Sequence, residues 1–222
     1  MPKETFHKLP AEKKKKLIDA FLREFSVKRY DDASITAVVR SLGIAKGSIY
    51  QYFKDKLDLF LFLKEECGAI KVQYISHIKR EDYPDFWDYF RALYKAGLRF
   101  DLERPLESNF LHSLAEHINA PSMKIYYADW LEQVMQAMCY WIQYEVDRGH
   151  FRDDVPVKSM AFFLYQVTTH IGDYMRALHG LNIDSRLNEG QPVYGDKNGE
   201  ILLQSVEEYI SILKRAFEKP NP

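Results

Sequence analysis

An all-α fold is what this chain of 222 residues predicts, and three observations predict it. Apolar residues recur three and four apart in nearly every long segment, and no stretch alternates apolar and polar residues as a half-buried strand must. Glycine and proline are sparse enough to leave room for long helices. At this length the helices can build one or two domains sharing a contiguous core. No run of about 18 apolar residues occurs, and the N-terminal MPKETFHKLPAEKKKK has no apolar signal core. Neither a membrane span nor a secretory leader is expected, and a cytoplasmic protein follows. Cys67 and Cys139 are too few for a disulfide framework and too far apart for a CxxC motif, so they read as buried free thiols.

The elements follow in order. Pro10 suits a first helical position, and Ile18, Phe21, Leu22 and Phe25 keep the i, i+3, i+4, i+7 spacing, predicting a helix from about Pro10 to Ser26. Tyr30, Asp31 and Asp32 end that pattern. Ser34 offers a side-chain oxygen as a cap for a short second helix through Ile35, Val38, Val39 and Leu42, and Gly43 can take the left-handed conformation that turns the chain. A third helix follows in LGIAKGSIYQYFKDK, with Ile49 and Phe53 four apart on its inner side. Asp55 caps a fourth from about Lys56 to Ile78. Further helices are expected near Asp85 to Leu102, Pro105 to Ile118, Ser122 to Arg148, Pro156 to Leu181 and Gly199 to Glu218. Between the last two, NIDSRLNEGQPVYGDKN, residues 182–198, reads as a long flexible loop. No internal repeat is visible.

The net charge of −1 conceals an asymmetry. Residues 1–56 carry 13 Lys and Arg against 7 Asp and Glu, whereas the remainder carries 18 against 25. A basic front attracts a polyanion, although a solvated helix face needs charge as well. Helix, Gly turn, polar helix is the helix-turn-helix pattern. With Ile49 and Phe53 turned inward, Lys46, Ser48, Tyr50, Gln51 and Tyr52 offer donors, acceptors and flat rings on the side a DNA major groove would meet. Gly47 would let backbone approach phosphate. A short surface helix with ordinary polar residues has the same spacing.

The run LIDAFLREFSVKRYDDASITAVVRSLGIAKGSIYQYFKDKLDL, from Leu17 to Leu59, resembles the N-terminal DNA-binding domain of the TetR family of bacterial transcriptional regulators. The resemblance covers about a fifth of the chain. It implies an N-terminal three-helix head, residues 1–55, and a larger helical effector-binding and dimerisation domain, residues 56–222. It implies contact with double-stranded operator DNA by Ser34, Lys46, Gly47, Ser48, Tyr50, Tyr52 and Lys56, and Thr36 and Gln51 are expected to join them. Lys56, at the start of the fourth helix, is expected to clamp a phosphate together with unpaired backbone N–H groups. Arg29, Ala33 and Ala45 depart from the family pattern, where Gly, Thr and Ser are common: the two alanines each remove a hydroxyl that could donate to phosphate or cap a helix, and Arg29 adds a charge.

Catalytic chemistry is scarce in the larger part. His112, Glu116 and His117 lack the HExxH spacing of a metal site, and His170 with Asp173 reads as a structural polar pair rather than a dyad. No catalytic residue, metal or cofactor is expected, and the chain does not read as an enzyme. Aromatic mass is abundant. Most of it must be core, but Tyr94, Phe110, His112, Tyr127, Trp130, Trp141, Phe163, His170 and Tyr174 are expected to line a pocket for an apolar or amphipathic small-molecule effector, which the resemblance also implies. The last two helices carry more apolar residues than one buried face needs, so Val167, Ile171, Leu178, Val206, Ile210 and Leu213 are expected to join a homodimer. A repressor released by its effector is the favoured expectation. The rival is a helical small-molecule-binding or enzymatic protein whose basic N-terminal domain contacts a protein or another polyanion.

Overall fold

The computed structural model describes residues 2–118, 120–195 and 197–219, with only the backbone for Lys46, Ala115, Glu116 and Ile118. Twelve α-helices and two short 3-10 turns account for the described chain, and no strand occurs among the described residues beyond an isolated antiparallel bridge between Phe151 and Glu218. The chain divides into two compact units. The first comprises the chain up to His77, then Ala96–Pro121 and Asp184–Gly195; the second comprises Ile78–Lys95, Ser122–Ile183 and the C-terminal helix. The expected boundary between residues 55 and 56 is therefore not where the compact units part.

In the first unit, α1 (Glu4–His7), α2 (Ala11–Val27), α3 (Ile35–Ser41) and α4 (Lys46–Ile49) precede the long α5 (Lys56–Ile75). The end of α6 (Phe86–Glu103), then α7 (Pro105–Ile118) and most of α11 (Ile183–Glu189), complete it. Its core is aromatic. Phe25 of α2 lies 5.2 Å from Phe60 of α5, 6.4 Å from Phe110 of α7 and 6.3 Å from Tyr30, each ring pair buried. Such pairs each contribute about 0.5–1.5 kcal/mol beyond their area burial, so α2, α5 and α7 are fastened at one point. The head cannot be a separate domain when the partners of its central phenylalanine come from α5 and α7.

The segment expected as a flexible loop contains α11 and then docks: Val193 and Tyr194 are buried. Its anchor is Asp101, a buried carboxylate that accepts the Tyr194 N–H at 2.9 Å and the Ser108 hydroxyl at 2.9 Å, with His112 Nε2 at 3.4 Å. His112 and the bonds from Ser108 and Tyr194 outweigh the cost of burial and hold that carboxyl below the usual carboxylate range.

The second unit contains the start of α6, then α8 (Lys124–Asp147), α9 (Val157–Thr169), α10 (Ile171–His179) and α12 (Lys197–Phe217). The single helix expected from Pro156 to Leu181 is broken at His170. Thr168 donates its hydroxyl back to the carbonyls of Leu164 and Tyr165, and His170 Nδ1 lies 3.0 Å from the Gln166 carbonyl, so side chains compete with the backbone ladder where the helix ends. Asp173 pairs with Arg176 at 2.6 Å rather than with the His170 ring, which corrects the expected polar pair. Glu145 is fully buried and takes a two-pronged bond from Arg80 at 2.6 and 3.0 Å plus His150 Nδ1 at 2.8 Å. Such depth is tolerated because both carboxyl oxygens of Glu145 have hydrogen-bond partners, among them the Arg80 guanidinium.

Candidate nucleic-acid interface

Ser34 sets the geometry. Its side chain accepts the Ala37 N–H at 3.2 Å and so caps α3, while its own N–H donates to Glu24 Oε1 at 2.8 Å and ties the cap to α2. Ile35, Val38 and Val39 are buried, and the chain turns at Gly43, whose φ of 67° is open only to glycine at little cost. α4 is a single turn of helix. Ala45 caps it without a side-chain bond, the consequence of having no hydroxyl there. The third helix expected to run toward Phe53 thus stops at Ile49 and continues as turns.

Ile49 and Phe53 are both buried, and on the other side Gly47, Tyr50 and Gln51 are exposed while Ser48 and Thr36 are partly so. That is the polar face the spacing predicts. Lys46 belongs to the same turn by its backbone, and its side chain lies outside the described residues. Tyr52 does not belong to the face. Only 8% exposed, it packs 6.2 Å from the Phe6 ring, because the turns after Ile49 swing it inward.

Lys56 is also a correction. Its Nζ donates to the Ala33 carbonyl at 2.7 Å and the Asp31 carbonyl at 3.4 Å and sits 4.7 Å over the Tyr30 ring. Burial draws its ammonium below the ordinary lysine range against the pull of Asp31, Asp32 and Glu24. A lysine so engaged fastens α5 to the loop before α3. The start of α5 is likewise occupied, since Asp55 accepts the Asp58 N–H at 2.8 Å and Asp58 Oδ2 accepts the Lys54 N–H at 3.0 Å.

One contributor is nearly silent in the sequence. Lys3 donates its N–H to the Tyr52 carbonyl at 2.7 Å and its ammonium to the Tyr50 carbonyl at 2.7 Å, and the Thr5 hydroxyl donates to the Gln51 carbonyl. Its one signal is Phe6, a lone aromatic in a lysine-rich stretch.

The nine residues expected to line an effector pocket are divided between the two units. Phe110 and His112 belong to the first unit and the other seven to the second. Phe110 is sealed among Phe25, Phe60 and His117, and His112 pairs with Asp101. Within the second unit Tyr127 and Trp130 are neighbours at 6.2 Å, and Trp130 meets Tyr165 at 6.3 Å. Trp141 packs on Tyr89, Tyr94 on Phe90 and Phe163 on Phe217, while the Tyr174 hydroxyl donates to Glu208 at 2.6 Å. His170 is exposed. A half-open groove of about 210 Å³ lies instead beside Arg91, Lys95, Leu203 and Glu207, lined by none of the nine. The dimer residues are corrected too. Ile171, Val206, Ile210 and Leu213 are buried within their own unit and Val167 is half-buried, because the regular stripe of each helix is consumed by its own core. Leu178 is exposed, as are Phe162, Phe163 and Ile212.

The model described as bacterial regulatory proteins, tetR family, matches residues 17–63. A solved TetR family transcriptional regulator from Chloroflexus aurantiacus J-10-FL superposes with a TM-score of 0.77 at 27% identity, covering 99% of this chain and 100% of that one. Residues 17–63 thus carry the tetR-family head, and the whole chain shares the fold of a TetR family regulator. The HTH-type transcriptional repressor AcnR of Corynebacterium glutamicum is 23% identical over 71% of this chain and 79% of its own length. The HTH-type transcriptional regulator AcrR of Shigella flexneri is 31% identical over 28% of this chain and 31% of its own. The TetR-family match runs from α2 into α5, so it contains the whole turn with the polar face. The chain is a TetR-like DNA-binding transcriptional regulator. Among its described residues no helix is long and apolar enough to cross a membrane, and no three His, Cys, Asp or Glu side chains gather as a metal cluster.

Proposed function

We propose that the protein is a dimeric repressor that grips operator DNA in the cytoplasm through the exposed side of α4 and the turn after it, and lets go when a small apolar or amphipathic molecule binds the second unit. The observation that carries the DNA face is the contrast across one short element, with Ile49 and Phe53 buried beneath and Gly47, Ser48, Tyr50 and Gln51 outside. Ser34, Thr36 and Lys46 border that face, and Ser34 sets its placement through the α3 cap. Release needs little: a tenfold change in operator affinity takes about 1.4 kcal/mol of ligand preference for the released conformation. The half-exposed aromatics of α8 and α9 supply apolar contact, and AcnR, a repressor by its description, supports repression. The test is retardation of DNA from upstream of the protein's own gene across a salt series. For each base edge that Tyr50→Ala or Gln51→Ala leaves unread, the expected cost is about 1–3 kcal/mol against the operator and less against unrelated DNA. Folded Tyr50→Ala and Gln51→Ala proteins with unchanged operator affinity would remove this face from the proposal.

A further inference from the structure

A four-residue helix cannot hold its own register. Its first bonded turn fixes several dihedrals for one hydrogen bond, and the carbonyls at its C-terminal end have no partners within it. Beyond Ile49, the three carbonyls of Tyr50, Gln51 and Tyr52 come in succession, and each accepts a bond from the chain's N-terminal arm: from the Lys3 ammonium, the Thr5 hydroxyl and the Lys3 N–H respectively. The arm is itself anchored. Phe6 on α1 is 1% exposed, with Phe53 at 5.0 Å, Phe62 at 5.3 Å and the Lys14 ammonium 5.3 Å over its ring. Phe53 is also the residue that seats the turn after α4 in the core, so one aromatic contact fixes both the arm and the turn.

We infer that Lys3, Thr5 and Phe6 are positioning residues for DNA recognition: the arm braces the turn after α4 from behind and sets the angle at which Tyr50 and Gln51 are presented. The arm's bonds go to backbone carbonyls and leave the side chains of Tyr50 and Gln51 exposed for the ligand. The inference rests on the proposed DNA face, yet the brace is a property of the free protein and is measurable without DNA.

Full-length variants separate the possibilities. Thr5→Val keeps the shape and removes the donor to Gln51. Lys3→Pro suits the observed φ of −74° and removes both donors of that residue at once. Phe6→Ala withdraws the anchor. Amide hydrogen exchange across residues 46–53 of the free protein is expected to quicken about 3–10-fold in Thr5→Val and more in Lys3→Pro, the worth of one and two hydrogen bonds. Discrimination between operator and unrelated DNA is expected to fall about 3–10-fold in Thr5→Val at an unchanged salt slope, because no charge is removed. Exchange unchanged in both Thr5→Val and Lys3→Pro would overturn the brace, whatever Phe6→Ala does to folding. Weakening shared equally by all DNA sequences, with a shallower slope in Lys3→Pro and none in Thr5→Val, would also overturn it and make Lys3 a plain phosphate contact. If the parent protein binds no DNA at all, the DNA face fails and the exchange rates still decide the brace.

Discussion

Phe25 and Trp130 are large rings on long helices of the two units, and they meet opposite surroundings. Phe25 is enclosed by Phe21, Tyr30, Phe60, Phe110 and His117, with ring centroids between 5.2 and 6.5 Å. Trp130 is half-buried, touches Tyr127 and Tyr165, and shares its helix with Ile125, Tyr126 and Tyr140, all exposed, the last at 70%. The same residue types therefore serve two ends. In the first unit they close a core beneath the proposed reading face; in the second they leave apolar surface that a ligand or a second copy of the chain can cover.

The largest test of that contrast is a pair of truncations. Phe25→Ala is expected to cost about 3–5 kcal/mol, enough to unfold the first unit and abolish DNA binding, while Tyr140→Ala stays within about 0.5 kcal/mol. Chemical denaturation of both variants decides it, and comparable destabilisation in the two would break the distinction between closed core and open surface.

Acid probes the same core. His117 is buried against Phe60 at 5.0 Å, with its Nε2 3.2 Å from the Ser113 hydroxyl. Burial, with help from the nearby Lys56 charge, lowers its pKa to about 4 from an ordinary 6.5, although a bond to the Phe25 carbonyl pulls the other way. The folded state holds a neutral ring where the unfolded chain binds a proton, so stability is intact above pH 6.5 and falls as pH drops toward 4. The full loss is about 3 kcal/mol. His117→Phe is expected to flatten that part of the stability curve between pH 6.5 and 4, measured by denaturation at stepped pH; an unchanged curve would assign the acid sensitivity elsewhere.

What was legible in the sequence follows from range. Ser34, Gly43, Ile49 and Phe53 act through local rules, a cap, a positive φ and a four-residue spacing, and each stands where those rules put it. Tyr52, Lys56 and Thr5 act through partners dozens of residues away, Phe6, Ala33 and Gln51, which no local pattern names. The same limit explains the dimer surface. Periodicity identifies an apolar stripe on α12, but whether the stripe meets its own core or a partner depends on where α12 lies. Val206, Ile210 and Leu213 went inside, leaving Leu178 and Ile212 exposed at 67% and 60%. If those two cover a twin, Leu178→Asp or Ile212→Asp should weaken the dimer by about 2 kcal/mol, or about 30-fold, without lowering monomer stability. Sedimentation equilibrium at micromolar concentration measures this, and an unaltered association constant in both variants would place the interface on α8 or α9 instead.

The smallest effect separates a fastener from a DNA contact. Lys56 sits at the N-terminus of α5, where a free ammonium would meet phosphate, yet it is engaged by the Ala33 and Asp31 carbonyls and the Tyr30 ring. Lys56→Met keeps the aliphatic stem against that ring and removes the charge. The expected cost is about 1 kcal/mol, or about 2–4 °C in Tm, from removal of the cation–π interaction and the carbonyl bond. The salt slope of operator binding should not change, because neutralising one phosphate fewer would lower it by about one unit and this lysine neutralises none. A slope lower by that amount, with Tm unmoved, would mean that Lys56 leaves its carbonyls when DNA arrives and grips the backbone after all. Either result sharpens the comparison, since it says whether the aromatic core of the first unit only supports the reading face or also lends it a charge.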